Sequence, residues 1–142
     1  MGLPQESFAG ILHETARLWR TELDRRLRPL GLSQAKWRML VHISCSEDCT
    51  QAELAARLGV EAPTVVGLLD RLAADGLVER HESAHDRRSK TVRLREGGRA
   101  LMKPIAEMAE NLNRELLANL SSDEVAVSQA ALAKIRDRLR SL

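Results

Sequence analysis

The spacing of apolar positions predicts a mainly helical chain. Between Phe8 and Leu30, apolar residues recur every three or four positions, which is typical of one face of a long helix. Ser33 is placed to cap a second helix, which runs from Gln34 to about Cys45. The pattern places on one side of this second helix Trp37, Leu40, Val41 and Ser44.

Two short helices follow, with a tight turn between them. Thr50 and Glu53 form a capping box that opens the first, and Gly59 ends it. The second runs from about Glu61 to Asp75, with Pro63 at a position where a helix tolerates proline. Its predicted buried stripe is Val65, Leu68, Leu69 and Leu72. The same periodicity turns outward Ala62, Pro63, Thr64, Gly67 and Arg71.

Two strands and two long helices complete the chain. Alternation favours strands over Val78–His81 and Lys90–Arg95, and the loop between them is longer than the roughly two to five residues usual for a hairpin. A helix from about Gly97 to Leu117 contains Pro104, where we expect a kink. A last helix opens at a second capping box, which spans Ser121–Glu124.

The order of these elements predicts a winged helix-turn-helix flanked by further helices. The fold class is therefore mainly α with a small β-hairpin wing. In such a module the second helix, here Glu61–Asp75, enters the major groove of DNA, and the wing tip approaches phosphates or the minor groove. Thr64 can hydrogen-bond a base edge or a phosphate there, and its methyl group can contact thymine.

The wing carries a local basic patch on a near-neutral chain. The 142 residues have a formal net charge of +2, whereas residues 77–95 hold six cations against three acids, a net +3. Such a patch favours a specific anionic contact. Asp86 interrupts it directly before Arg87 and Arg88. As a hydrogen-bond partner, Asp86 can hold one guanidinium, by our prediction that of Arg87, so that the other points outward.

The sequence argues against several other classes of protein. No apolar run reaches the length of a membrane span, and the N-terminus lacks a secretory signal pattern, so we expect a protein of the cytoplasm, associated with the nucleoid. No glycine-rich phosphate loop, nucleophile elbow or paired metal motif is present, which argues against an enzyme, a metal or a cofactor. The competing class is a winged-helix module that pairs with proteins, and the basic wing argues against it.

The chain resembles a known family over nearly its whole length, from about Ala9 to Leu139. The segment TQAELAARLGVEAPTVVGLLDRLAADGLVER, followed by DRRSKTVRL, resembles the MarR family of bacterial transcription regulators. The earlier segment ARLWRTELDRRLRPLGLSQAKWRML looks like the SlyA branch of that family. A DRR motif alone is weak, but at this distance after that helix it is specific.

The resemblance implies a cytoplasmic homodimer that binds double-stranded DNA at a pseudo-palindromic operator, as a repressor or anti-silencer. It implies one domain, with dimerisation helices at about residues 5–30 and 97–142 and a winged helix-turn-helix lobe at about 33–96. The long apolar stripes of the outer helices independently favour a partner chain, because a small winged lobe is unsuited to cover them.

The resemblance also assigns DNA contacts. Arg88 matches the family arginine that enters the minor groove, and Asp86 and Arg87 match residues that brace the wing. Gly67 stands where the SlyA branch has a base-contacting arginine, so the operator preference should differ, or Arg71 and the wing must carry more of the affinity. The expected DNA-contact set is Gln51, Ala62, Pro63, Thr64, Gly67, Arg71, Asp86, Arg87, Arg88 and Lys90.

A ligand site is the next implication of the resemblance. The SlyA branch binds small aromatic acids such as salicylate, and Arg17 and Trp37 match two residues of its pocket, a cation for a carboxylate and a ring for stacking. A third position, a histidine in the family, is Val41 here, with His42 adjacent. The alternative is that Trp37 belongs to the core and Arg17 is a surface charge.

Cys45 and Cys49 leave a redox-responsive regulator as an alternative. With His42 they are too few ligands for a structural zinc site. The reactive cysteine of oxidant-sensing relatives resembles a first-helix position, where this chain has none. Cys49 is expected beyond the helix end, where the charges of Glu47 and Asp48 disfavour a thiolate.

Overall fold

The structure is a computed structural model that describes residues 4–46, 48–82 and 89–142. Its elements in chain order are α1 (Phe8–Leu27), a short 3-10 helix (Arg28–Leu30), α2 (Gln34–Ser44), β1 (Cys49–Thr50), α3 (Gln51–Leu58), α4 (Ala62–Ala74), β2 (Val78–Glu82), β3 (Lys90–Leu94), α5 (Glu96–Leu116) and α6 (Ser122–Arg140). The prediction of a mainly helical fold with a β-hairpin wing is confirmed. Within the described ranges, no helix is both long and apolar enough to cross a membrane.

Local capping chemistry sets most of the helix boundaries. The side chains of Ser33 and Thr50 accept hydrogen bonds from the backbone N–H groups at the starts of α2 and α3, as predicted. Of the capping box predicted at Thr50 and Glu53, the structure shows only this half, in which Thr50 accepts from the N–H of Glu53. Ser121 and Glu124 form both hydrogen bonds of the capping box that opens α6. Gly59 ends α3 in the left-handed region, with φ 66°. These signals act over three or four residues, which is why the sequence alone places them correctly.

The core around the helix-turn-helix positions α4. This helix packs against α2, α3 and β2. Of the predicted buried stripe of α4, Val65, Leu69 and Leu72 have no exposed surface, whereas Leu68 is half-buried. Leu54 of α3 is also completely buried. Burial of each such side chain contributes about 1.5–3 kcal/mol, so the rotation of α4 about its own axis is strongly fixed.

The wing sheet has three antiparallel strands in the order β1-β3-β2. Val78 of β2 lies opposite Leu94 of β3, and Arg80 lies opposite Val92. The sequence placed β2 and β3 within one residue at each end. It missed β1, a two-residue strand whose Cys49 pairs with Val92, because so short a strand has no alternation to detect.

The apolar side assigned to α2 is partly wrong. Met39, Leu40 and Ile43 are the buried residues of α2, whereas Ser44 is exposed and Trp37 and Val41 are only half-buried. The helix turns its buried face toward α3, α4 and β3, on which it packs. The apolar positions of α2 spread over more than half its circumference, so periodicity alone did not select the side that meets those elements.

The long helices leave much apolar surface exposed. The chain divides into two compact units, one reaching to Met108 and one from Ala109 to Leu142. In the first unit, α1 exposes Phe8, Ile11 and Leu18. In the second unit, α6 has no buried residue. The large apolar side chains exposed in this unit are Leu116, Leu120, Val127, Leu132, Leu139 and Leu142. A helix that buries so little apolar surface within its own chain requires another surface to cover it.

Replacement of Leu69 by alanine tests the role of the buried stripe in α4. Leu69 is completely buried, so Leu69→Ala should lower the free energy of unfolding by about 2–5 kcal/mol. Val66 in the same helix is 38% exposed, and Val66→Ala should change that free energy by only about 0.5 kcal/mol. Urea denaturation at one fixed protein concentration measures both. Equal losses in the two variants would contradict the assignment of the buried face.

Candidate nucleic-acid interface

The outer face of α4 presents small side chains along its centre. Helical spacing places Pro63, Gly67 and Asp70 on one line, at steps of four and three residues. Thr64 and Arg71, both exposed, flank this line on one side. The predicted outward residues of α4 thus lie on its surface, with Gly67 half-buried.

The opposite flank of α4 is apolar, and the sequence interpretation missed part of it. Val66 is 38% exposed and lies one turn after the exposed Ala62. Val66 comes four residues after Ala62, which is predicted to face outward, and this step indicates that Val66 faces outward as well. The apolar side chain of Val66, directly after the buried Val65, hides this signal in the sequence.

An ion pair joins α4 to the wing. The guanidinium of Arg80 on β2 lies 2.7 Å from the carboxylate of Asp70 on α4. Asp70 is largely exposed, so the pair stabilises the fold by at most about 1 kcal/mol. Its larger consequence is electrostatic, because it compensates a negative charge in the middle of the outer face of α4. No local sequence pattern connects these two residues.

The described part of the wing contains several paired charges. Arg93 on β3 donates a hydrogen bond to Asp48, which holds the pKa of that carboxyl below its usual value. The imidazole Nε2 of His81 lies 3.0 Å from the carboxylate oxygen Oε1 of Glu79. The hydrogen bond between them lowers the pKa of Glu79. Lys90 is exposed at the start of β3. The predicted wing-tip residues Asp86, Arg87 and Arg88 lie outside the described residues.

Gln51 stands at the first position of α3 and is half-buried. Its oxygen Oε1 is buried and has no hydrogen-bond partner within the described part of the chain. Among the described residues of the predicted contact set, Gln51 is thus the one with a buried side-chain polar atom that lacks a partner.

The two predicted ligand-pocket residues lie in different surroundings. Arg17 is exposed and lines an open groove of about 390 Å³ beside α1, whose other lining residues are Gln5, Gly10, His13 and Glu14. Trp37 is half-buried, and its indole Nε1 is buried without a hydrogen-bond partner among the residues described. Trp37 is not among the residues that line this groove. This indole therefore has a donor that no described residue uses. An unpartnered buried N–H costs about 1–3 kcal/mol.

A cavity that sequence reasoning did not indicate lies between the end of α2, the wing sheet and the start of α5. It has a volume of about 580 Å³ and is lined by Ile43, Ser44, Ser46, Glu79, Arg93, Leu94, Arg99 and Met102. Arg99 donates a hydrogen bond of 2.7 Å to the carbonyl oxygen of Leu94. Arg93 is paired with Asp48, and Glu79 is paired with His81. Much of the charge in this lining is therefore already paired.

The two cysteines differ in accessibility. Cys45 is exposed at the end of α2, and Cys49 is buried in β1. Burial is the main cause that raises the pKa of the Cys49 thiol, with smaller contributions from Glu53 and Asp48. The sequence therefore gave the right direction, but it assigned the effect to acidic neighbours alone. Within the described ranges, no three His, Cys, Asp or Glu side chains are grouped to hold a metal ion.

A helix-turn-helix with a three-stranded wing defines the winged-helix class of proteins. The sequence profile of the MarR family matches residues 30–89. The chain is similar over 96% of its length to the transcriptional regulator PA3341, at 40% identity and a TM-score of 0.85, with 100% of that chain covered. The chain therefore belongs to the MarR family.

Two further relatives were solved with DNA. A cysteine-to-serine mutant of MarR from E. coli, in complex with operator DNA, is 30% identical, with 95% of this chain and 99% of that chain covered and a TM-score of 0.82. The transcriptional repressor CouR, bound to a 23-mer duplex, is 25% identical, with 96% and 99% covered and a TM-score of 0.83. The matched family members are transcription regulators.

Thiol labelling tests the difference between the cysteines. Cys45 should react rapidly with an aromatic disulfide reagent at pH 8, whereas Cys49 should react only after unfolding in urea, because it is buried and its pKa is raised. The change in absorbance on release of the aromatic thiol measures both rates. In Cys45→Ser the rapid phase should disappear. If it persists, Cys49 is accessible and the redox alternative gains support.

Proposed function

We propose that this chain is a dimeric transcription regulator that binds double-stranded DNA at a pseudo-palindromic operator, as a repressor or anti-silencer on the nucleoid. The observation that supports this most directly is the orientation of α4. Its Val65, Leu69 and Leu72 are completely buried, so the opposite face is held outward on a rigid support. Relatives of the same fold that were solved with DNA support DNA as the occupant of this face.

The proposed roles follow from chemistry and exposure. Arg71 is exposed and has the reach and the fork of donors to bind a guanine edge or a phosphate. Thr64, seven residues earlier on the same flank, supplies a hydroxyl at shorter range. Arg88 enters the minor groove in this proposal, while Asp86 holds Arg87 and braces the wing tip. Lys90, at the start of β3, adds a phosphate contact.

Dimerisation is supported by apolar surface. The exposed apolar residues of α1 and α6 belong to the proposed dimerisation regions, residues 5–30 and 97–142. A two-fold dimer presents two copies of the proposed DNA-binding lobe, residues 33–96, which explains a pseudo-palindromic operator. The proposed SlyA-like assignment within the family rests on the first two helices, and Gly67 departs from that branch.

Replacement of Arg88 tests DNA binding. Arg88→Ala should weaken binding to a duplex selected by the parent protein from a random pool, and should lower the slope of log affinity against log salt by about one if a phosphate contact is lost. Arg140→Ala removes an exposed arginine from the last turn of α6, outside the proposed DNA-binding lobe, and is the charge-matched control. It should leave both quantities unchanged, with size-exclusion chromatography confirming that it keeps the oligomeric state of the parent. Gel shift at several salt concentrations measures them.

Two outcomes of that experiment would contradict the proposal. Unchanged affinity in Arg88→Ala removes the wing from the interface. Failure of the parent to enrich any duplex favours the alternative class, a winged-helix module that pairs with proteins.

Control by a small aromatic carboxylate is the second part of the proposed function. The unused indole donor of Trp37 is the observation that favours it, because a ligand carboxylate or phenol oxygen would satisfy that N–H. Arg17 would supply the cation. Since Trp37 does not line the groove beside Arg17, we propose that the pocket is completed in the assembled dimer or by a change of conformation.

Salicylate titration tests this second part. Millimolar salicylate should release the protein from its operator, and Trp37→Phe should raise the required concentration because it keeps a ring but removes the indole donor. 2-Hydroxybenzyl alcohol, which keeps the phenol group and replaces the carboxylate by a neutral alcohol, is the matched ligand control and should not release the protein. Fluorescence anisotropy of labelled duplex provides the measurement. Release that is equal in the parent and in Trp37→Phe would exclude the proposed role of that N–H.

A further inference from the structure

We propose that the recognition helix α4 reads thymine methyl groups through the apolar flank formed by Ala62 and Val66, and that Gly67 lets the helix approach the bases closely. This inference rests on the proposed DNA-binding function and specifies what the helix recognises. The structural features that carry it are the exposure of Val66, the surroundings of Gly67 and the shortage of long polar side chains on α4.

The outer face of α4 has few hydrogen-bonding groups. Between Ala62 and Ala74 the sequence APTVVGLLDRLAA contains no asparagine, glutamine, lysine or glutamate. Arg71 is the single side chain of this helix with a fork of donors, and it lies in the second half. Asp70 is engaged by Arg80 at 2.7 Å. The first half of α4 therefore offers a base pair mainly a hydroxyl, from Thr64, and methyl groups.

Val66 places methyl groups where a base edge is expected. Val66 is 38% exposed, whereas its neighbours Val65 and Leu68 are buried and half-buried, respectively. Ala62 lies one turn before it on the same flank. In the major groove, thymine is the base that presents a methyl group, and apolar side chains recognise it by contact.

Within the described residues, no packing contact explains Gly67. A Cβ added there meets no atom within 4 Å. Glycine inside a helix costs about 0.5–1 kcal/mol relative to alanine, so the chain retains a destabilising residue at the centre of its outer face. Close approach of another backbone or a base is the general reason for such a glycine. Here it lowers the profile of α4 directly beside Val66.

Replacement of single thymines by deoxyuridine tests the inference, because it removes only the methyl group. The probe is a duplex that the parent protein enriches from a random-sequence pool. In each half-site, at least one thymine should lower the affinity about fourfold when it is replaced, the amount that burial of one methyl group contributes. In Val66→Ala the same replacement should change the affinity less than about twofold.

Thr64→Ser is the matched control, because it removes an exposed methyl group from the opposite flank of α4 and keeps the hydroxyl. It should retain the full effect of deoxyuridine. If Thr64→Ser abolishes the effect and Val66→Ala does not, the assignment to Val66 is wrong. If no thymine is sensitive although the parent binds its selected duplex tightly, methyl recognition is excluded while the proposed DNA-binding function stands. If no duplex is enriched, both fail together.

Gly67→Ala tests the close approach separately. It should raise the urea midpoint of unfolding, because alanine favours the helix and has open space at this position. It should at the same time weaken operator binding about tenfold or more, since the added methyl group holds α4 away from the bases. A variant that is more stable and binds with unchanged affinity would overturn the role given to Gly67.

Discussion

The burial of Val65, Leu69 and Leu72 is the constraint on which the rest of the interface depends. These side chains have no exposed surface, and they fix the rotation of α4 against α2, α3 and β2. Rotation of the helix by one residue would expose one of them and cost about 1.5–3 kcal/mol. This packing therefore decides which residues of α4 face outward and belong to the proposed DNA-binding surface.

The outward face of α4 is shaped against the stability of the helix. A stable exposed helix would carry alanine or a long polar residue at position 67, and a better helix former than aspartate at position 70. This chain has glycine there, together with an aspartate, Asp70, whose charge is compensated by Arg80 from the wing. Both departures from good helix design fall on the surface assigned to DNA, which is where local rules are expected to yield to function.

The sequence predicted well what is decided within a few residues. Ser33, Thr50 and Ser121 cap helices through contacts three positions away, and Gly59 ends α3 through its own backbone. Prediction from the sequence failed where a distant element decides which side of a helix is buried or which charges pair. The buried side of α2 depends on the elements packed against it, and the pairing of Asp70 with Arg80 joins two elements that share no local pattern.

The exposed apolar residues of α6 differ from the exposed Val66 of α4, and this difference points to a different partner for each surface. α6 has no buried residue and exposes large side chains such as Leu132 and Leu139. Such a helix is marginal by itself and needs an extensive apolar cover, which the second copy of the chain supplies in the proposed dimer. Val66, in contrast, stands among small side chains on a helix that is already well packed. A contact the size of one methyl group satisfies it, and a base edge provides a contact of that size, whereas a protein interface would demand a larger patch.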